Sequence, residues 1–144
     1  MKALEVAKYV VKLCLGHGRP VSNLQLQKIL YLAHVFYIMK TGEELIEDSF
    51  EAWRLGPVIP DVYEEYSIYA GAPIIFCEED EDMDIDHNKI GIVRNLIANL
   101  SAEKPWRLVE LTHKKGGAWD KTYMDGRGNR NVINPRLIYM EAGR

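Results

Sequence analysis

Between Ser22 and Gly42 the chain reads SNLQLQKILYLAHVFYIMKTG, and this stretch constrains the fold more than any other. Ser22 and Gln25 have the capping-box spacing, in which a hydroxyl and an amide side chain satisfy backbone amides left over at a helix start. Gly42 stands where such a helix would close. Leu26, Ile29, Leu30, Ala33 and Tyr37 share one face of the predicted helix, and Leu24, Tyr31, Val35 and Ile38 widen the apolar arc beyond that of a surface helix. A helix with so wide an arc must be touched from several sides. The rest of the chain therefore has to wrap around it.

The flanking segments supply candidates for that wrapping. Leu4, Ala7, Val10, Val11 and Cys14 fall at helical spacing, which predicts a first helix from Ala3 to Leu15 ended by Gly16. Residues 44–55, ELIEDSFEAWRL, fit the helical period poorly. Ile46, Phe50, Ala52 and Arg54 alternate there with Glu47, Ser49, Glu51 and Trp53, as in a strand or extended segment. Gly56-Pro57 then reads as a break, and Pro60 as the first turn of a helix, PDVYEEYSIYA, that Gly71 and Pro73 terminate. Ile74 to Cys77 reads as a brief apolar strand. Seven of the nine residues from Glu78 to Asp86 are acidic, which predicts a self-repelling loop inserted into the fold. Ile90, Val93, Ile97 and Leu100 predict a helix from Asp86 to Leu100, with Ser101 opening a shorter one through Leu108 to His113. A Gly-rich basic loop follows, and Asn134-Pro135 opens a last helix. The predicted class is mostly α with a little β, a single domain over residues 1–144 around one long helix.

With 144 residues, 47% of them hydrophobic, the chain can bury one core of ordinary size. No apolar run approaches the roughly 18 residues that a bilayer span requires, and the first helix carries Glu5, Lys8 and Lys12. Cys14 and Cys77 stand apart, with no CxxC, so neither a disulfide framework nor a zinc ribbon is expected and the cytoplasm is the default compartment. The formal charge of -3 is uneven, -8 over residues 1–103 and +5 over residues 104–144. Such polarity suits a partner surface better than nucleic acid as a whole.

Catalytic and metal chemistries find little support. No two of His17, His34, His87 and His113 form HxxxH or HxH, so no metal site is expected. Cys14 lies on the apolar stripe of the first helix, where a thiol is a small hydrophobe with a raised pKa. Ser22 and Ser101 read as helix caps, no GxSxG occurs, and DGRGN does not follow a strand and open a helix as a phosphate-binding turn would. Neither an enzyme nor a cofactor is expected. Lys114, Lys115, Lys121, Arg127, Arg130 and Arg136, with Trp119 and Tyr123 interleaved, leave open a nucleic-acid-binding regulator using the basic C-terminal face. The acidic remainder of the chain speaks against it.

LQKILYLAHVFYIMKTGEEL, then FEAWRLGPVIPDVYEEY, and later ELTHKKGGAWDKTY closely resemble the Panacea domain, through Lys28, Tyr31, Ala33, Ala52, Trp53, Gly56-Pro57-Val58 and Tyr63 at these separations. That family includes SocA-like antitoxins and phage-associated GepA-type proteins. The resemblance covers nearly the whole chain. It implies a helical domain that neutralises a cognate toxin by direct protein–protein binding, in a phage, prophage or chromosomal toxin–antitoxin system. One branch, the SocA type, instead implies an adaptor that delivers its toxin to the ClpXP protease. Many members fuse the domain to an added DNA-binding segment. This chain ends soon after the family's last helix, so regulation through such a module is not expected.

Tyr31, His34, Arg54 and Tyr63 join apolar bodies to polar tips, the side-chain type that dominates interface energetics, and they are candidate partner-binding residues. Lys114, Lys115, Arg127 and Arg130 are candidates for an electropositive part of the same interface. Trp53, Gly56, Pro57 and Trp119 read as structural, the tryptophans covering the core and the Gly-Pro pair shaping a turn. Partner specificity could reside in the acidic segment from Glu78 to Asp86.

Overall fold

The computed structural model describes residues 1–77 and 85–144. The acidic run therefore lies, except for Ile85 and Asp86, outside the described residues. Among the described residues the chain is mostly α, with seven α-helices and one two-stranded sheet. None of these helices is long and apolar enough to cross a membrane.

The central helix forms as its sequence dictates. α2 spans Asn23–Thr41; the Ser22 hydroxyl accepts from the Gln25 amide at 3.2 Å, and the Gln25 side chain accepts from the Ser22 amide at 2.9 Å. Gly42, at φ 76°, closes it in a left-handed conformation that disfavours other residues. α2 packs against α1 (Ala3–Gly16), α3 (Pro60–Glu65), α4 (His87–Ser101), α5 (Pro105–Thr112) and α7 (Pro135–Glu141). Most of its wide apolar arc is thus covered, with Leu24 and Val35 left half-buried.

Local chemistry sets the other helix ends. Lys2 offers no cap to α1, and Asp48 supplies one from a distant segment by accepting from the Ala3 amide at 2.9 Å. Asp86 caps α4 by accepting from Asn88 and Lys89, and Asn134 caps α7 through Arg136. Ser101 does not open a helix. It is the last residue of α4, its hydroxyl donates back to Ala98, and α5 starts at Pro105, whose ring fixes the dihedral a first helical residue needs.

The predicted extended segment forms one arm of a hairpin. β1 (Glu51–Trp53) runs antiparallel to β2 (Gly56–Val58), with Trp53 opposite Gly56 and Ala52 opposite Pro57. The turn is Arg54-Leu55, so Gly56-Pro57 does not break the chain but forms strand. Pro57 can sit there because Ala52 turns its polar groups the other way, donating to Asn131 and accepting from Arg130 at 2.6 Å. Residues 130–133 thereby flank β1 on its second edge, with a bridge from Glu51 to Val132.

One more expectation needs correction. Ile74 to Cys77 form no strand: Ile74 is buried and donates its amide to Val21, whereas Ile75 and Phe76 stand exposed. Ahead of the Gly-rich basic loop the structure adds an element that was not predicted, α6 (Ala118–Tyr123), which carries Trp119 into the core, followed by a 3-10 turn at Met124–Gly126.

Candidate functional site

Three polar side chains on one face of α2 hold the hairpin and α3. Asn23 donates to the Tyr63 carbonyl, Gln27 donates to Asn23 and accepts from the Ile59 amide, and Lys28 Nζ donates to the Pro57 carbonyl, each at 3.0 Å. All three are buried, because strand ends and a helix start present backbone groups that must be satisfied inside.

Lys28 is the anomaly in this ladder. Its side chain is 0% exposed, and among the described residues no carboxylate pairs with it. Burial alone lowers its pKa from 10.5 to about 7. Gly56 makes room for it. At φ 122°, a Cβ there would come 2.8 Å from Thr112 Oγ1 and 2.9 Å from Lys28 Cε.

Above the ladder lies a cleft of about 490 Å³, rimmed by Leu24, Trp53, Arg54, Leu55 and Tyr63 and floored by Asn23, Gln27 and Lys28. Trp53 forms its wall. Tyr63 tilts against the indole at 4.9 Å, the Arg130 guanidinium lies 4.2 Å over the ring, and Nε1 donates to Glu51. Arg130 reaches that position from a left-handed backbone, φ 66°, which strains a non-glycine residue and is held by its amide's bond to Ala52. Leu55 is 48% and Tyr63 41% exposed, and Arg54 is exposed beside them. The cleft and its rim therefore present an aromatic and cationic surface on a rigid base.

A second aromatic stack backs the hairpin. Trp119 lies between His113, 3.7 Å away and nearly parallel, and Tyr123 at 4.8 Å, while its Nε1 donates to the Trp53 carbonyl at 2.7 Å. Burial depresses the His113 pKa and the Lys28 charge adds to this, with the Leu55 backbone and Asp120 acting against them. Its Nε2 is buried with no well-aligned hydrogen bond among the described residues. With both faces covered, Trp119 offers nothing for a base to stack on.

The candidate residues separate into two groups. Tyr63 and Arg130 meet around Trp53, which is half-buried at the surface, and Arg54 lines the same cleft. Tyr31 and His34 do not belong to a partner surface. Tyr31 packs edge-on against Phe50 at 5.2 Å and donates its hydroxyl to Glu141 at 3.1 Å. His34 Nδ1 accepts from the Ile46 amide at 3.2 Å, and burial and the N-terminal charge hold its pKa near 4. Their polar tips found partners inside the chain. Cys14 is buried as expected, its pKa pushed up to about 11 by burial. Lys114, Lys115 and Arg127 are exposed, and among the described residues no side-chain contact ties them to the Trp53 cluster. Asn23, Gln27 and Leu55 were not singled out from the sequence. A usable signal was there: two amides and a lysine at 23, 27 and 28 within an otherwise apolar arc.

The model of the family described as "Antitoxin SocA-like, Panacea domain" matches residues 26–120, which include Lys28, the whole hairpin, Tyr63 and Trp119. The chain belongs to the SocA-like Panacea family. It is 37% identical over 116 residues to Antitoxin SocA of Caulobacter vibrioides (strain NA1000 / CB15N), a match that covers 70% of this chain and 59% of that protein. The chain thus spans less than two thirds of that relative's length. No solved structure matches. Within this Panacea domain the matched region holds Gln27 and Lys28 of the α2 ladder and the cleft rim from Trp53 to Tyr63, while Asn23 and Leu24 precede it and Arg127 and Arg130 lie beyond it.

Proposed function

We propose that this protein is the antitoxin of a toxin–antitoxin pair and neutralises its toxin by direct contact, without catalysis, through the face formed by Trp53, Arg54, Leu55, Tyr63 and Arg130. The observation that carries the reading is the half-exposed Trp53 clasped between Tyr63 and Arg130 beside an open cleft. Aromatic and arginine side chains held rigidly at a pocket edge are the usual anchors of protein interfaces, because little conformational entropy is lost when they are covered. Family membership supports a toxin as the partner.

The test is co-expression with the protein encoded by the adjacent reading frame. Leu55→Asp and Arg54→Glu alter exposed positions in a two-residue turn, and each is expected to leave stability within about 0.5 kcal/mol of the parent. Each is expected to weaken the complex at least tenfold and to abolish growth rescue, measured by titration calorimetry and plating. Unchanged affinity in both variants would refute this interface. Charge reversal at Lys114, Lys115 and Arg127, outside the proposed contact, is expected to slow association in low salt only. Rescue that disappears in a host lacking ClpXP, with binding intact, would assign neutralisation to proteolytic delivery instead.

A further inference from the structure

On another side of the molecule, α1 and α4 leave a cleft of about 550 Å³ between them. Lys12 and His17 project from the end of α1, and His87 and Arg94 from α4. Among the described residues no carboxylate lines this cleft, although the chain as a whole carries a charge of -3. Leu13 and the buried Ile90 provide an apolar base.

Two glycines, Gly16 at the end of α1 and Gly91 within α4, stand in its wall. Gly91 sits in the first half of the 15-residue α4, where glycine is the least favourable residue after proline. A Cβ at Gly91 would meet nothing within 4 Å, and the same holds for Gly16 on the facing helix; neither has the positive φ that calls for glycine. Packing and backbone conformation therefore leave Gly91, inside a helix, unexplained. Space for an occupant that approaches the helix backbone closely explains it.

The helix termini do not supply the charge preference. Asp86 already occupies the amides at the start of α4, and the last carbonyls of α1 are taken by the amides of His17, Gly18 and Arg19. Selectivity rests on the side chains. An ammonium, a guanidinium and two imidazoles around an apolar base, in a volume suited to a small molecule, match a compact anion attached to an uncharged body. We propose that the α1–α4 cleft binds a phosphorylated small molecule, with the phosphate between Lys12, His17, His87 and Arg94 and the organic body against Ile90 and Gly91.

Amide chemical-shift mapping of the full chain at 0.15 M salt tests this with AMP, ribose 5-phosphate, adenosine and a short poly-glutamate peptide as probes. The expected result is saturable shifts confined to residues 12–17 and 87–94 with both phosphate esters, and none there with adenosine or the peptide. Gly91→Ala is expected to raise the thermal midpoint, since it improves the helix, and yet to weaken binding of both esters at least tenfold. Arg94→Ala is expected to weaken them as much. Absence of these shifts with both esters, equal shifts with adenosine or poly-glutamate, or undiminished binding to Gly91→Ala would each overturn the proposal.

Discussion

Lys28→Met is expected to make the protein more stable by about 2 to 4 kcal/mol at pH 7. Displacement of the pKa from 10.5 to about 7 corresponds, at about 1.4 kcal/mol per unit, to a burial penalty of several kcal/mol. The hydrogen bond to Pro57 offsets about 1 kcal/mol of it, and methionine keeps most of the volume without the charge. Between about pH 7 and 10.5 the unfolded lysine holds a proton that the folded one has lost, so this group makes the parent more stable as pH rises. Below pH 7 both states are protonated and the penalty is constant. Urea unfolding of parent and variant from pH 6 to 9.5 should therefore show the variant's advantage greatest at the acid end and shrinking by about 1.4 kcal/mol per unit above pH 7. A constant difference would mean that Lys28 is hydrated or paired.

Gly56→Ala is expected to destabilise the domain by about 3 kcal/mol or more. A Cβ there suffers twice, from a backbone at φ 122° that L side chains rarely adopt and from overlap with Thr112 Oγ1 and Lys28 Cε. Thr112 is fully buried in α5, so it cannot swing away, and its hydroxyl is tied to Val109 at 2.9 Å. The overlap makes a separate prediction. Adding Thr112→Ala to Gly56→Ala should cost less than the two changes measured singly, with a coupling of about 1 kcal/mol in the double-mutant cycle. Strict additivity would leave the glycine fixed by backbone strain and the Lys28 contact, with no part for Thr112.

These two positions also mark how far the sequence could be read. α2 was legible in both boundaries because its caps are local: Ser22, Gln25 and Gly42 act on backbone groups within a turn of themselves. Gly56-Pro57 looked like a break for the same local reason. Its place in a strand depends on Ala52 directing its polar groups to residues 130 and 131, which are far away in sequence. Lys28 was visible as one letter of a motif, yet nothing nearby revealed that its ammonium would be buried under a carbonyl 29 residues on. Tyr31 and His34 look the same in sequence whether their polar tips meet a partner or, as here, Glu141 and Ile46. Arg130 was grouped with a basic stretch, but its left-handed backbone sends it to Trp53. Chemistry set by neighbours in the chain was readable; chemistry set by long-range contacts was not.

The central claim is that the Trp53 face contacts the toxin, and hydrogen-exchange footprinting of the free protein and of its complex with the adjacent-frame protein addresses it most directly. Exchange of backbone amides is expected to slow at residues 53–56, 62–66 and 128–131, with residues 12–17 and 87–94 unchanged. Protection elsewhere, with the hairpin tip exchanging at its free rate, would contradict the account.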